Sequence, residues 1–165
     1  MRLPGMHLIG ASLSFSTLAL FALPASAASL SRSVEVNGTP AAVWAAIGPF
    51  CAIQQWHPAI GTCTEDGKSP PTRTLVTKDG KATFVELQTA NSPQKHRYGY
   101  TFVSSPLPVT NYRSTLKVTA KGSDHSLVTW SGDYTPDQGK EKDADQALSG
   151  IYESGLQAIE AKFAK

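Results

Sequence analysis

The segment 148–163, LSGIYESGLQAIEAKF, decides the fold class of this chain. Its apolar residues recur at intervals of three and four, which is the spacing of one face of an α-helix. They are Leu148, Ile151, Tyr152, Leu156, Ile159 and Phe163. Acidic residues precede this run, and Lys162 and Lys165 lie at its end, as the helix dipole favours. The sequence therefore predicts a long amphipathic C-terminal helix.

The segments upstream of this helix have the patterns of β-strands. The first strand, at 30–36 (LSRSVEV), alternates apolar and polar side chains. Thr39 and Pro40 then favour the start of a short helix, which Gly48-Pro49 ends, and a second short helix is predicted at 50–55. Further strand patterns follow at roughly 61–65, 72–77, 82–89, 95–103, 111–120 and 126–134.

This order of elements predicts an α+β fold. A sheet of this size has to bury its apolar face, and the long helix is the element that can cover it. We therefore expect a curved antiparallel sheet of about seven strands wrapped around the C-terminal helix, with two short helices after the first strand. The space between sheet and helix is either filled by side chains or left as a pocket.

The first 27 residues have the pattern of a cleavable secretory signal peptide. Arg2 supplies a positive charge, an apolar stretch runs to Leu23, and Ala25-Ser26-Ala27 offers small residues at a peptidase site. A membrane anchor is the weaker alternative, because the apolar run is short, is interrupted by serines and lacks a charged stop after it. We expect cleavage after Ala27, a single mature domain at 28–165, and a periplasmic or secreted location.

The charge balance argues against nucleic acid as a partner. The chain has 15 Lys and Arg residues against 13 Asp and Glu residues, and no basic run stands out. No segment after the signal is apolar enough to span a membrane. The sequence has neither a phosphate-binding glycine loop nor a His/Cys/Asp cluster with metal-ligand spacing, so no cofactor is expected.

Two cysteines, Cys51 and Cys63, are predicted to form a disulfide. An isolated pair in an oxidising compartment is commonly bonded, and closing this short loop stabilises by roughly 3 kcal/mol. Two buried free thiols are the alternative. A metal site is weaker still, because the spacing is not that of a CxxC pair and no second pair exists.

Several segments, taken in order, resemble the START/Bet v 1-like (SRPBCC) superfamily, over nearly the whole mature chain. The first-helix region resembles that of the polyketide cyclase/dehydrase-like branch, and so do an Arg, turn-Gly and Glu-Leu series and two late strands. These segments are Val43–Gly48 with Phe50 and Trp56-His57-Pro58; Arg73-Thr74-Leu75, Asp79-Gly80 and Glu86-Leu87; Leu107–Leu116; and Val128-Thr129-Trp130. With the signal peptide, they resemble the periplasmic MxaD-like subgroup. The resemblance implies a helix-grip fold with a hydrophobic cavity between sheet and long helix.

Strand alternation predicts the lining of such a cavity independently. Side chains at every second position share one face of a strand, and the inner face so defined is rich in aromatic rings and hydroxyls. Mostly apolar surroundings with a few polar groups are typical of small-molecule sites. The residues expected to bind a ligand are Trp56, His57, Arg73, Glu86, Tyr98, Tyr100, Tyr112 and Trp130, above a floor of Tyr152, Leu156 and Ile159.

Each of these residues also has a plainer interpretation. Arg73 and Glu86 are either polar anchors for a ligand or an ion pair, buried or facing solvent. His57 is either a general base, because histidine titrates near neutral pH, or part of a packed corner at the cavity rim. The tyrosines and Trp130 either contact a ligand or simply fill the core.

The sequence therefore favours a secreted binding protein for a small hydrophobic or amphipathic molecule. The alternative is an enzyme resembling polyketide cyclases, aromatases or dehydratases, with Glu86 and His57 as the catalytic candidates and Arg73 or Tyr112 as further acid/base groups. A third possibility, implied by the MxaD-like resemblance, is an accessory protein of a periplasmic oxidoreductase. The sequence leaves the ligand, any catalysed reaction, the partner and the oligomeric state open.

Overall fold

A computed structural model describes residues 26–164 of the chain. The predicted signal peptide therefore lies almost wholly outside the described residues. In chain order the elements are β1 (Ala28–Asn37), α1 (Pro40–Ile47), α2 (Ile53–Trp56), β2 (Ile60–Glu65), β3 (Thr72–Thr77), β4 (Thr83–Ser92), β5 (Arg97–Ser104), β6 (Val109–Ala120), β7 (His125–Pro136) and α3 (Glu141–Phe163). No helix within 26–164 has the length and apolar character needed to cross a membrane.

The strands form one seven-stranded antiparallel sheet in the order β1-β7-β6-β5-β4-β3-β2. The first and last strands of the chain are therefore neighbours, and β1 and β2 are the two edges. Helix α3 packs on the inner face of the sheet through its apolar side, where Leu148, Tyr152, Leu156 and Ile159 are buried. The predicted α+β helix-grip fold is confirmed.

The start of α1 follows the predicted capping pattern. The Thr39 hydroxyl accepts a hydrogen bond from the Ala42 amide at 3.3 Å, and Pro40 occupies the first helical position. Val43, Trp44 and Ile47 are buried, so α1 covers one end of the inner face of the sheet.

Predicted strand ends differ from the observed ones by up to three residues, and two local predictions differ in the kind of structure. The second short helix, predicted as one unit at 50–55, is a 3₁₀ turn at Phe50–Ala52 that continues into the single α-turn of α2. Strand β5 was predicted from Lys95 but begins at Arg97, because Pro93–Lys95 form a 3₁₀ turn and His96 has a left-handed backbone with φ 46°. Pro93 fixes φ at a value suited to the first position of this turn and has no N–H for the sheet, so strand pairing starts only after the turn.

The structure contains the predicted disulfide between Cys51 and Cys63, with 5.5 Å between their Cα atoms. It joins the 3₁₀ turn before α2 to the edge strand β2. The backbone amide of Cys63 also donates to the Gln54 side chain at 2.9 Å. The two short helices are thereby attached to the sheet edge beside the inner cavity.

Candidate ligand-binding cavity

A cavity of about 240 Å³ lies between the inner face of the sheet, α2 and the N-terminal half of α3. Most of its lining is aliphatic or aromatic, and Glu86 is the one carboxylate in it. The lining residues are Ile53, His57, Ala59, Ile60, Leu75, Thr77, Phe84, Glu86, Tyr100, Phe102, Tyr112, Trp130, Leu148 and Ile151. Ala59 is exposed, and Phe102 and Ile151 are partly exposed, so the cavity opens to solvent beside the α2–β2 loop.

Glu86 forms a buried ion pair with Arg73 on the neighbouring strand. The two residues are paired in the β3–β4 register, and Arg73 Nε donates to Glu86 Oε2 at 2.6 Å. Arg73 is fully buried and Glu86 is 4% exposed. Within 26–164, Glu86 Oε1 has no hydrogen-bond partner, so it is the oxygen available to a ligand.

The guanidinium of Arg73 is held behind the cavity wall. One Nη donates to the Phe50 carbonyl, and the Phe50 ring lies 4.0 Å from Arg73 Cζ, a cation–π distance. The other nitrogen, Nη2, is buried without a partner among the described residues. The centre of the Tyr100 ring lies 5.1 Å from Arg73 Cζ. Arg73 is therefore enclosed by rings and by Glu86, away from the cavity.

Burial and pairing act in opposite directions on these two groups. Burial raises the pKa of Glu86 above its ordinary value, while the charge of Arg73 opposes that rise. Burial is the largest influence on Arg73 and disfavours its charged form, but Glu86, Tyr98 and Tyr100 together outweigh it and raise the pKa of Arg73. Arg73 therefore remains a cation, and the pair carries no net charge when Glu86 is ionised.

Three lining residues, Tyr100, Tyr112 and Trp130, belong to a hydrogen-bonded cluster that continues behind the cavity wall to Ser114 and Tyr152. Trp130 Nε1 donates to Tyr100 Oη and to Ser114 Oγ, both at 3.0 Å. Tyr112 Oη lies 3.2 Å from Tyr100 Oη and 2.7 Å from Tyr152 Oη, and Tyr152 Oη lies 2.9 Å from Ser114 Oγ. Ser114 in turn donates to the Ser131 carbonyl at 2.9 Å.

The phenols of this cluster are neutral at physiological pH. Burial raises the pKa of Tyr100 and Tyr112 well above the ordinary phenol value, and it raises the pKa of Tyr152 to about 12. Gly132 makes room for the cluster, because a Cβ atom there would lie only 2.5 Å from Tyr152 Oη. The hydroxyl of Tyr152 thus lies directly on strand β7.

His57 joins the α2–β2 corner to helix α3. Its Nε2 lies 3.0 Å from the Ile151 carbonyl, and the Ala59 amide donates to its Nδ1 at 3.2 Å. A carbonyl can only accept, so the ring is neutral with its proton on Nε2. Burial lowers the pKa of His57 and favours this form. Both ring nitrogens are thus engaged in structural hydrogen bonds.

The structure places five of the eight expected binding residues on the cavity wall: His57, Glu86, Tyr100, Tyr112 and Trp130. The other three lie behind it. Arg73 and Tyr98 pack under Phe50, whose ring meets the Tyr98 ring edge-on at 5.5 Å, and Trp56 packs edge-on against Trp130. The floor is formed by Leu148 and Ile151, which lie on the N-terminal side of the expected Tyr152, Leu156 and Ile159.

Several lining residues were not identified from the sequence, although strand alternation carried the signal for some. Leu75 and Thr77 share strand parity with Arg73, and Phe84 shares it with Glu86. Residues of the loop and short helix, such as Ile53 and Ala59, lie outside any alternating pattern. Their positions depend on how the chain turns between α2 and β2.

A larger depression of about 750 Å³ lies outside this enclosure, between α1 and the ends of β3 and β4. It is a wide surface groove, bordered by Pro49, Pro70, Pro71 and Pro93. Within 26–164, no group of three or more His, Cys, Asp or Glu side chains is placed to hold a metal ion. The enclosed cavity is therefore the better candidate for a binding site.

The family described as "Polyketide cyclase / dehydrase and lipid transport" matches residues 27–164. This chain belongs to that family. The family lies within the SRPBCC superfamily, and the resemblance to that superfamily noted in the sequence is confirmed. Among curated protein sequences none matches the chain.

Solved structures of this fold include two close in sequence. XoxI from Bacillus cereus is 34% identical, with a TM-score of 0.78 over 82% of this chain and 95% of its own. An uncharacterised protein from Bacillus thuringiensis is 34% identical, with a TM-score of 0.77 over 82% of this chain and 98% of its own. The Zhui aromatase/cyclase from a Streptomyces species shares the fold alone, at 13% identity, with a TM-score of 0.67 over 83% of this chain and 93% of its own.

Proposed function

We propose that this member of the polyketide cyclase/dehydrase and lipid transport family binds one small, mostly apolar molecule in the cavity between sheet and α3. The observation that carries the proposal is the composition of that enclosure. Apolar side chains make up most of the wall, and a single carboxylate, Glu86, is placed among them. Mostly apolar walls with a few fixed polar groups are the usual composition of small-molecule sites.

The volume limits the size of the ligand. A protein cavity of about 150 Å³ lined by apolar side chains is large enough to bind benzene. The present cavity of about 240 Å³ therefore suits one ring with short substituents. A substrate with several fused rings, such as an aromatic polyketide, does not fit this space.

An enzyme of the aromatase/cyclase type is the second candidate, favoured by the fold shared with Zhui. The hydrogen bonds that the candidate catalytic groups already make within the protein argue against an enzyme. Glu86 is paired with Arg73, and both nitrogens of His57 are bonded to backbone groups. General acid–base catalysis requires a side chain that can exchange its proton with the substrate. Turnover of a candidate substrate that is lost in Glu86→Gln would support the enzyme instead.

An accessory role toward a periplasmic oxidoreductase rests on the MxaD-like resemblance. Docking through an apolar surface has little support, because Val103 is the single large hydrophobic residue exposed within 26–164. Binding of a small molecule is therefore the function that the cavity and the surface favour together.

We propose further that the protein is secreted or periplasmic, with residues 1–27 removed. The small residues before Ala28 support this proposal, and so does the disulfide, since such bonds persist in oxidising compartments. Strand β1 begins at Ala28, so cleavage after Ala27 would leave the strand whole. N-terminal sequencing of the protein from its own host should find Ala28 first, and retained Met1 would contradict cleavage.

The binding proposal is tested by closing the cavity mouth. Ala59 is exposed and lines the opening, so Ala59→Phe should block entry while leaving the core intact. Ala161→Phe, an exposed position far along α3, is the matched control. In ligand-observed NMR with p-cresol, the wild type and Ala161→Phe should bind and Ala59→Phe should not.

Two outcomes would contradict the proposal. Equal binding by Ala59→Phe would place the ligand elsewhere on the molecule. Failure of the wild type to bind any single-ring probe would reject a site of this size. Native mass spectrometry of protein purified from its own host would then identify any molecule that the protein retains.

A further inference from the structure

The hydroxyl protons of the cavity wall are all committed to bonds within the protein. Four hydroxyl groups form the cluster, those of Tyr100, Tyr112, Tyr152 and Ser114, and they are joined by three hydroxyl–hydroxyl hydrogen bonds. A fourth bond connects Ser114 to the Ser131 carbonyl. Four bonds thus have to be made with four protons.

A carbonyl can only accept, which sets the direction of the whole chain. Ser114 donates to Ser131, so Tyr152 must donate to Ser114, Tyr112 to Tyr152 and Tyr100 to Tyr112. Any reversal leaves one of the four bonds unmade. The N–H of Trp130 is also used, because it donates to Tyr100 and Ser114.

The remaining polar groups of the wall are used in the same way. His57 donates from Nε2 to the Ile151 carbonyl. The Thr77 hydroxyl donates to Asp79 at 2.6 Å and accepts from the Ala82 amide at 3.1 Å. Two donors within 26–164 are buried without a partner, Arg73 Nη2 and Trp56 Nε1, but neither residue lines the cavity, so a ligand there does not reach them.

The cavity is left with acceptors and no side-chain donor. Glu86 Oε1 is open, and Tyr112 Oη accepts one bond and has a second lone pair. The positive charge of Arg73 already balances Glu86. A ligand cation would add an unbalanced charge, and a ligand anion would find no donor, so both would pay a large cost of burial.

We propose that the cavity selects a neutral, single-ring molecule that carries a hydroxyl or N–H donor, which it gives to Glu86, and that the cavity rejects carboxylates of the same shape. This inference rests on the proposed binding function and specifies the ligand class for that site. The ligand's apolar ring would contact the surrounding aliphatic and aromatic walls.

Three probes of similar shape test how much the ligand's donor contributes to binding. The probes are p-cresol, 4-methylanisole, in which a methyl group replaces the phenol proton, and 4-methylbenzoate. Titration calorimetry at neutral pH should give roughly tenfold tighter binding for p-cresol than for 4-methylanisole, since one hydrogen bond to a charged acceptor is lost. 4-Methylbenzoate should not bind over the same concentration range.

Each of two variants gives the cavity a hydrogen-bond donor that the wild type lacks. Glu86→Gln keeps the shape and can still accept from Arg73, but its amide presents a donor to the cavity, so the preference for p-cresol over 4-methylanisole should fall severalfold. Tyr112→Phe releases the proton of Tyr100, so affinity for 4-methylanisole should rise relative to wild type. Thermal unfolding of each variant, monitored by circular dichroism, checks that it is folded.

The outcomes distinguish this inference from the proposed function. Equal affinities for p-cresol and 4-methylanisole, or tightest binding of 4-methylbenzoate, would overturn the donor rule and leave cavity binding intact. Binding of no probe, or binding that persists in Ala59→Phe, would reject both. If Glu86→Gln does not fold, the wild-type probe series and Tyr112→Phe still decide the inference.

Discussion

Arg73 and Glu86 depend on each other for burial, so Glu86 has a role in stability besides any role in binding. If Glu86 were only a ligand anchor, its removal would weaken binding and leave folding nearly intact. The structure pairs it instead with a fully buried cation, 2.6 Å from its carboxylate. Removing one partner of a buried pair leaves the other charge without compensation.

We expect Glu86→Ala to lower the free energy of unfolding by about 3–5 kcal/mol, the cost of an orphaned buried charge. Urea unfolding followed by tryptophan fluorescence measures the loss. The double variant Arg73→Met with Glu86→Leu removes both charges and should recover most of it. A double variant as unstable as Glu86→Ala would show that packing, and not the charge, causes the loss.

His57 gives the fold a dependence on pH. Burial lowers the pKa of His57 below its unfolded value of 6.5, so the neutral ring stabilises the folded state. That stabilisation is complete above pH 6.5 and is lost as the pH falls through the folded pKa. The added proton has to occupy Nδ1, where it opposes the N–H of Ala59.

The free energy of unfolding should therefore fall between pH 7 and pH 5 in the wild type, and it should fall less steeply in His57→Gln. Chemical unfolding at a series of pH values gives the two slopes. Parallel slopes for wild type and His57→Gln would exclude His57 as the source.

Helix α3 contains two glycines with opposite surroundings. A Cβ at Gly155 would lie 2.8 Å from both the His57 and Trp130 rings, whereas a Cβ at Gly150 would meet nothing within 4 Å. Gly155→Ala should destabilise by about 1–3 kcal/mol through overpacking against rigid rings. Gly150→Ala should stabilise by up to about 1 kcal/mol through helix propensity. Thermal unfolding compares the two, and the same sign for both would contradict this view of the interface.

The disulfide attaches the 3₁₀ turn and α2 to the sheet edge at β2. Replacing Cys51 and Cys63 by serine should cost about 3 kcal/mol, through the added freedom of the unfolded chain. Reductant should lower the urea midpoint of the wild type and leave that of the double-serine variant unchanged. A wild type indifferent to reductant under unfolding conditions would show that the bond does not form.

Strand alternation predicted the faces of the sheet but not the position of the cavity along them. Arg73 and Leu75 share a face of β3, yet Leu75 lines the cavity while Arg73 lies under Phe50. Which of the two is covered depends on where the 3₁₀ turn crosses the sheet. That crossing is set by tertiary packing and by the disulfide, and local sequence periodicity contains no information about it.

The architecture as a whole was more predictable than the site. A long amphipathic helix and a series of alternating strands have one efficient way to bury their apolar faces, which is to pack against each other. The floor of the cavity was less predictable, because Leu148 and Tyr152 have the same helical periodicity. The packing of α3 on the sheet brings Leu148 to the cavity and Tyr152 to the hydroxyl cluster.

The pairing of β1 with β7 has a consequence for the order of folding. Ala28 pairs with Tyr134 and Asn37 with His125, so within 26–164 the first strand has its one neighbouring strand near the other end of the chain. A ribosome must release almost the whole chain before this sheet can close, and long-range pairing of this kind slows folding to milliseconds or longer. For a chain that begins with the proposed export signal, this delay would keep the polypeptide unfolded, and so able to pass through an export channel, until its last strand and helix have been synthesised.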